Sequence, residues 1–201
     1  NEIHILGYYL DHNNELLLLK LQELKRSRDE RAYKIVARLE ELGLPLDLDR
    51  VREHARGEVV GRPHIADAMI EKGYVRSREE AFEKYLDKGR PAYVSRYKFP
   101  PREAIELIKR CGGLAVLAHP GLIDDPNLVA EIISMGIDGL EVYYPQHSDE
   151  QTSYYLRLAE ENGLLITGGS DFHGPDEGNK LGAVQIGRSS ITAMQKRLHS
   201  S

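Results

Sequence analysis

The chain has 201 residues, of which 41% are apolar and 29% charged, and its formal net charge is −5. This length allows one domain with a sizeable core, or one domain that carries a large insertion. The apolar runs are too short for a transmembrane helix, and the acidic balance argues against a general binder of duplex DNA. The single cysteine, Cys111, excludes an internal disulfide and predicts a cytoplasmic location.

The chain opens on the sequence NEIHILGYYLD, which is typical of a strand and lacks an initial methionine. Alternation along a strand places His4 on the face opposite Ile3 and Ile5. Because the first residues already have the pattern of a strand interior, we expect the chain to be a piece of a longer protein.

Residues 15–89 are highly charged and have helical periodicity, with no strand pattern among them. The pattern predicts helices over residues 15–42, 50–55, 63–72 and 78–88. Glycines at positions 43, 73 and 89 are expected to form C-caps. Ser77 and Glu80 have the spacing of a capping box.

Two arginines interrupt the apolar stripe of the long helix. Arg28 and Arg31 occupy positions where helical spacing predicts core residues, between Leu24 and Ile35. A buried guanidinium needs an anion. These side chains therefore either meet acidic groups inside the protein or bind a phosphate, whose oxygens match the guanidinium fork.

A second candidate anion site lies in the sequence GRPHIA, at the start of the third predicted helix. Pro63 suits the first turn of a helix. Arg62 and His64 would then lie beside the unpaired N–H groups at the positive end of that helix, where anions bind. The alternative is a helix start that contacts only solvent.

From residue 101 onward, strands alternate with helices. The strands lie in GLAVLAHP, IDGLEVYYP and GLLITGGSDFH, and GAVQIG is a candidate for one more. This alternation predicts βα units with parallel pairing, and therefore an α/β fold. His119, Glu141 and Asp171 fall at or just past the carboxyl ends of strands, where α/β proteins build their sites.

The sequence SDFHG places a carboxylate and an imidazole two residues apart. On an extended backbone Asp171 and His173 can point the same way, and together they suit Mn²⁺, Zn²⁺ or Fe²⁺. Gly168 and Gly169 permit close backbone approach. The alternative is a loop aspartate that caps a helix beside a surface histidine.

Three further side chains accompany this pair. His119 is either a metal ligand or a half-buried histidine that bonds a carbonyl group. Glu141 is expected to orient a ligand without binding the metal itself, and a direct ligand or a salt-bridged residue are the alternatives. His147 lies in a turn and is expected to be exposed, with substrate contact as its alternative.

Taken in order, EIHILGYYLD, GRPHIA, LAHPG, GLEVYYPQH and SDFHG resemble the PHP (polymerase and histidinol phosphatase) family. The resemblance is closest to its phosphoesterases that hydrolyse 3′,5′-nucleoside bisphosphates or trim short RNA from the 5′ end. It implies a distorted (β/α)7 barrel, incomplete at the N-terminus, formed by residues 1–14 and 101–201. Residues 15–100 would be a helical insertion subdomain.

The resemblance also implies roles for individual residues. The family binds up to three divalent ions, of Mn, Fe or Zn, at the carboxyl ends of its strands. Its metal ligands are matched by His4, His119, Asp171 and His173. Its contacts to the substrate phosphate are matched by Arg28, Arg31, Arg62 and His64.

The family's barrel opens with a His-x-His strand and further ligands, all ahead of the position that matches His4. The chain does not contain them, so we expect fewer metal ions here and attribute the hydrolase activity to a longer protein. The implied substrate is a small nucleotide or a short RNA end. The alternatives are a noncatalytic PHP-like module with a vestigial metal site and a phosphatase for another substrate, such as histidinol phosphate.

Overall fold

In the computed structural model the described residues are 3–56, 60–174 and 179–199. The chain divides into two compact units, one formed by Asn1–Leu17 with Phe99–Ser201 and the other by Leu18–Lys98. We call them the sheet unit and the helical unit. The sequence-based division fell at residues 14 and 100, and the identification of the intervening residues as a family insertion stays a prediction.

The described residues before Phe99 form four α-helices and contain no strand after residue 8. These helices are α1 (Glu15–Glu41), α2 (Leu48–His54), α3 (Arg62–Glu71) and α4 (Arg78–Ala81), the last continued by a π-helical turn, Phe82–Leu86. The core of the helical unit lies where α1, α2 and α3 bury apolar side chains, among them Leu39, Val51 and Ile65. The helical pattern of this region is therefore confirmed.

The helix ends follow from local chemistry. Gly43 and Gly73 have φ values of 78° and 73°, which suit glycine at a helix C-terminus. The residue after each glycine, Leu44 or Tyr74, donates its N–H back into the last helical turn. At the start of α4, the Ser77 hydroxyl accepts from the Glu80 N–H at 3.3 Å, as the cap predicts.

The described residues of the sheet unit form four strands in the order β1-β2-β3-β4. They are β1 (Ile5–Tyr8), β2 (Leu114–Leu117), β3 (Gly139–Tyr143) and β4 (Leu165–Gly168). Strand β1 is antiparallel to β2, whereas β2, β3 and β4 are parallel. The predicted α/β class and the parallel pairing are therefore confirmed, and the described strands form an open sheet.

Helices connect and follow the parallel strands. They are α5 (Pro101–Arg110), α6 (Pro126–Ser134), α7 (Asp149–Glu161) and α8 (Arg188–His199). All four residues of β2 are buried, as expected for a central strand covered on both faces. The expectation of a strand at GAVQIG is wrong, because residues 183–187 have no strand pairing and lead directly into α8. None of the described helices is long and apolar enough to cross a bilayer.

We predict that Leu39→Ala lowers the free energy of unfolding of the helical unit by about 2–5 kcal/mol, because it leaves a cavity in a packed core. Leu39 is 0% exposed, whereas Leu19 on the same helix is 56% exposed. Leu19→Ala is therefore the matched control and should change stability by less than about 0.5 kcal/mol. Urea denaturation of both variants measures the difference, and equal losses would contradict this assignment of the core.

Candidate metal centre and anion site

The antiparallel pairing of β1 with β2 places His4 beside His119. Ile5 pairs with Leu117, and the Ala118 N–H donates to the His4 carbonyl at 3.0 Å. His4 directly precedes β1 and His119 follows β2, so both lie at the same edge of the sheet. His4 Nδ1 and His119 Nε2 are 3.2 Å apart, with the two rings in an edge-to-face arrangement.

This pair has the spacing of two ligands of one metal ion. With bonds of about 2.1 Å, two nitrogens on one ion lie about 3.0–3.4 Å apart in octahedral to tetrahedral geometry. His119 is 9% exposed, and its other ring nitrogen, Nδ1, has no hydrogen-bond partner among the described residues. Burial lowers the pKa of His119, and His4 lowers that pKa further, which favours the neutral imidazole that metals require.

Glu141 holds the backbone of His119 and not its ring. Its side chain is buried in β3, and Oε2 accepts from the His119 N–H at 2.9 Å. Burial raises the pKa of this carboxyl, the His119 N–H lowers it, and the charge of Asp171 raises it. The contact is one that an orienting residue would make, and the role of Glu141 toward a metal stays a prediction.

The glycine pair before Asp171 leaves room for this carboxylate. A Cβ atom at Gly169 would lie 2.6 Å from Glu141 Oε1. A Cβ atom at Gly168 would lie 2.8 Å from the carbonyl oxygen and the Cβ of Tyr143. Such distances are shorter than real Cβ contacts. The close approach of β4 to β3 therefore requires glycine at position 168, whereas a Cβ atom at position 169 would displace the Glu141 carboxylate.

Tyr144 links Asp171 to the histidine pair. Its hydroxyl donates to Asp171 Oδ2 at 3.1 Å, and its ring centroid lies 5.3 Å from that of His119. The backbone φ values of His119 and Asp171 are 29° and 47°. A residue with a Cβ atom is strained in this region, and such strain is concentrated at functional sites.

His173, the fourth predicted ligand, has an exposed side chain. Its side chain is 63% exposed, and Nδ1 lies 2.9 Å from the Asp171 carbonyl oxygen. Within the described part of the chain, no three His, Cys, Asp or Glu side chains are gathered closely enough to hold an ion. The structure thus brings His4 and His119 together and connects Asp171 through Tyr144, but does not gather all four residues.

The expectation that His147 is exposed is wrong. The ring is half-buried, and both nitrogens are bonded, Nε2 to the Gly121 N–H at 3.0 Å and Nδ1 to the Val142 carbonyl at 2.9 Å. Sequence reasoning missed this role because it requires the turn after β3 to fold the ring back onto Val142 in β3 and against Gly121 in the turn after β2. The histidine in GLEVYYPQH was the available signal, but its position in a turn suggested solvent.

The helical unit contains a group of guanidinium side chains. Arg31 is half-buried, and its Nε donates to the Val94 carbonyl at 2.8 Å. Burial lowers the pKa of Arg31, and the neighbouring charges of Arg62 and Arg96 lower it further. Among the described residues no carboxylate bonds Arg31, so the internal acidic partner considered from sequence is not found. Arg96 was missed by sequence reasoning, because no motif marks it.

The other predicted anion contacts differ in their surroundings. Arg62 donates to the Leu86 carbonyl at 3.0 Å, and its guanidinium lies 5.1 Å from the Phe82 ring centroid. His64 Nδ1 accepts from the Gly61 N–H at 3.1 Å, which caps the start of α3. Arg28 is exposed on α1, so the expectation of a core position for it is wrong. Packing starts only beyond Arg28, since the buried residues of α1 begin at Ala32.

Comparison with known proteins shows clear relatives. The chain is 33% identical over 184 residues to a 3′,5′-nucleoside bisphosphate phosphatase of Chromobacterium violaceum, covering 89% of this chain and 65% of that protein. It is 34% identical over 187 residues to a 5′-3′ exoribonuclease of Escherichia coli, covering 90% of this chain and 64% of that protein. The chain therefore spans just under two thirds of the length of these curated relatives.

A solved structure agrees with these relatives. A Bifidobacterium adolescentis protein assigned as a metal-dependent phosphoesterase is 30% identical and superposes with a TM-score of 0.75 over 97% of this chain and 71% of that one. No protein-family model matches the chain.

We predict that Gly169→Ala destabilises the sheet unit by about 1–3 kcal/mol, because the new methyl group must displace the Glu141 carboxylate or shift the backbone. Ser170→Ala, one position later, adds no atom and is the control, with a change of less than about 0.5 kcal/mol. Thermal unfolding of both variants tests this. An unchanged melting temperature for Gly169→Ala would show that Glu141 is not held in place.

Proposed function

This chain belongs to the PHP (polymerase and histidinol phosphatase) family, and on that premise we propose that the protein containing it is a metal-dependent phosphoesterase. The proposed substrates are 3′,5′-nucleoside bisphosphates or the 5′ ends of short RNA. In support, one relative is named as a 3′,5′-nucleoside bisphosphate phosphatase and another as a 5′-3′ exoribonuclease. The observation that carries the proposal is the pair His4 and His119, whose nitrogens lie 3.2 Å apart at a sheet edge. A cytoplasmic location stays a prediction from the single cysteine.

We infer that the four strands are part of the family's distorted (β/α)7 barrel. The parallel order β2-β3-β4 supports this, because a barrel needs consecutive parallel neighbours. The placement of His4, His119 and Asp171 at one edge supports it as well, since barrel sites lie at the carboxyl ends of strands.

The proposed ligands are His4, His119, Asp171 and His173, and the proposed ions are Mn, Fe or Zn. Such ions supply a water nucleophile at neutral pH and offset phosphate charge. The protein's own contribution is to lower the pKa of His119 by burial, which favours its neutral form, and to fix its backbone through the Glu141 carboxylate. Tyr144 orients Asp171 by donating to Oδ2, and the other carboxylate oxygen, Oδ1, lies 3.5 Å from His173 Nδ1.

The guanidinium group of the helical unit is the proposed binding site for a substrate phosphate. The charges of Arg62 and Arg96 repel that of Arg31, and the Asp87 carboxylate lies 3.5 Å from Arg62. An anion with several oxygens would relieve this repulsion. His64 is proposed as a further contact, through the ring nitrogen that does not cap α3. Arg28 is proposed as an outer contact, since it is exposed one helical turn before Arg31.

We predict that His119→Ala in the full-length protein lowers phosphate release from a nucleoside 3′,5′-bisphosphate by at least about 100-fold, because even residues that only orient ligands contribute 10–100-fold. His12→Ala is the matched control, because His12 is exposed, and it should retain full activity. Elemental analysis of the purified protein accompanies the assay. Tightly bound Mn, Fe or Zn in the parent protein and its loss in His119→Ala are expected.

The same assay separates the alternatives. A full-length protein without divalent metal and without turnover would contradict the proposal and favour a noncatalytic module with a vestigial site. Turnover of histidinol phosphate in preference to the bisphosphate and to short 5′-phosphorylated RNA would keep the enzyme class and replace the substrate.

We predict that Arg31→Ala raises the KM for the bisphosphate by about 10-fold or more, because it removes a charge-assisted bond to phosphate. A contact made equally in the ground state and the transition state changes KM and leaves kcat nearly unchanged. Arg26→Ala is the control, because the Arg26 side chain on the same helix is 82% exposed and pairs with Glu30. Equal KM values for both variants would remove the phosphate role from Arg31.

A further inference from the structure

We propose that the segment from His147 to Tyr155 positions His119 for metal binding, by fixing the turn 119–121 through three side-chain hydrogen bonds. We call this turn the His119 turn. The inference rests on the proposed function, because it assumes that the His119 ring binds a metal ion. It adds three positioning residues, His147, Gln151 and Tyr155, none of which is itself proposed to touch metal or substrate.

The His119 turn needs external support. His119 has a φ of 29°, which is unfavourable for a residue with a Cβ atom. Pro120 follows and has no N–H of its own to donate. A backbone of this kind persists only where its surroundings determine it, and the bond from the His119 N–H to Glu141 determines one end only.

The His119 carbonyl accepts from the Leu122 N–H and the Pro120 carbonyl from the Ile123 N–H, both within the local chain. Three further hydrogen bonds connect Pro120 and Gly121 to side chains of residues 147–155. The Pro120 carbonyl accepts from the Tyr155 hydroxyl at 3.0 Å, in a buried position. The Gly121 N–H donates to His147 Nε2 at 3.0 Å, and the Gly121 carbonyl accepts from Gln151 Nε2 at 3.0 Å. A Cβ atom at Gly121 would lie 2.6 Å from His147 Cδ2, so the turn and the ring are in close contact.

The tautomer of His147 follows from its two partners. The Val142 carbonyl, 2.9 Å from Nδ1, can only accept a hydrogen bond, so Nδ1 carries the proton. Nε2 is then free to accept from Gly121. The ring therefore connects β3, which contains Val142, with the His119 turn. Its packing between Tyr144 and Tyr155, with centroid distances of 5.2 and 5.5 Å, holds it in that orientation.

Gln151 has two separable roles. Its Oε1 accepts from the Ser148 N–H at 2.9 Å and completes a capping box at the start of α7. Its Nε2 donates to the turn. A glutamate at this position keeps the acceptor of the capping box and loses the donor to Gly121. Gln151→Glu thus breaks the positioning contact while preserving the helix cap.

The test measures binding of Mn²⁺ alone to the full-length protein by titration calorimetry, with the melting temperature recorded in parallel. We expect Gln151→Glu and Tyr155→Phe each to weaken Mn²⁺ binding about 10-fold, the range for residues that orient ligands. The added carboxylate of Gln151→Glu would by charge favour a cation, so weaker binding cannot be an electrostatic effect. Ser148→Ala is the control, because it removes the capping hydroxyl alone and should lower the melting temperature without changing Mn²⁺ affinity.

A pair of variants at His147 provides a rescue. His147→Gln can keep an acceptor near the Nε2 position for Gly121, whereas His147→Asn keeps only a group near Nδ1 for Val142. We expect His147→Gln to bind Mn²⁺ more tightly than His147→Asn, although both lose the ring.

The outcomes separate this inference from the proposed function. Unchanged Mn²⁺ affinity in Gln151→Glu and Tyr155→Phe, with a parent protein that binds Mn²⁺, overturns the positioning role and leaves the proposed function intact. An equal loss of affinity in Ser148→Ala overturns it too, because helix stability would then be sufficient. A parent protein that binds no divalent ion overturns the proposed function, and the inference with it.

Discussion

The candidate metal centre depends on one long-range strand pairing. His4 and His119 are 115 positions apart in sequence, and only the antiparallel register of β1 on β2 brings their rings to 3.2 Å. A shift of one residue would turn His4 to the other face of the sheet. Because β1 runs against the parallel strands, its N-terminal end lies at their carboxyl edge. A residue at the start of one strand therefore joins residues at the ends of others.

Around this pairing, the sheet unit keeps several groups that are unfavourable for stability. Glu141 is a buried carboxylate with a raised pKa, and His119 combines a strained backbone with a buried nitrogen that lacks a partner among the described residues. Each of these alone would usually be removed from a core that served only to fold. They occur together at one sheet edge, where a bound cation would stabilise the charged form of the carboxylate.

Sequence patterns predicted the parts of this arrangement that are local. The strand ends at His119 and Asp171 follow from apolar runs that stop at Pro120 and at a glycine pair, and α1 follows from periodicity over many turns. Local sequence patterns did not predict the antiparallel direction of β1, because the direction of strand pairing depends on residues that are distant in sequence. His147 was judged exposed for the same reason, since its two hydrogen-bond partners come from strand β3 and from the turn after β2. The predicted core position of Arg28 was wrong, because a periodic apolar stripe leads to burial only where another element covers that part of the helix.

The two units differ in how completely helix caps, turn residues and apolar packing explain their structure. In the helical unit, glycine caps, the Ser77 cap and an apolar core all agree with one another, and the exception is the group of like charges around Arg31. In the sheet unit, the exceptions are concentrated in the His119 turn and in the glycine pair before Asp171. A stable fold requires local propensity, packing and hydrogen bonding to favour the same structure. Residues that violate one of these rules are usually retained because they serve function. The same principle points to both candidate sites, because paired imidazoles beside carboxylates suit a cation and clustered guanidinium groups suit an anion. The metal-dependent phosphoesterase proposed above would use a site of each kind.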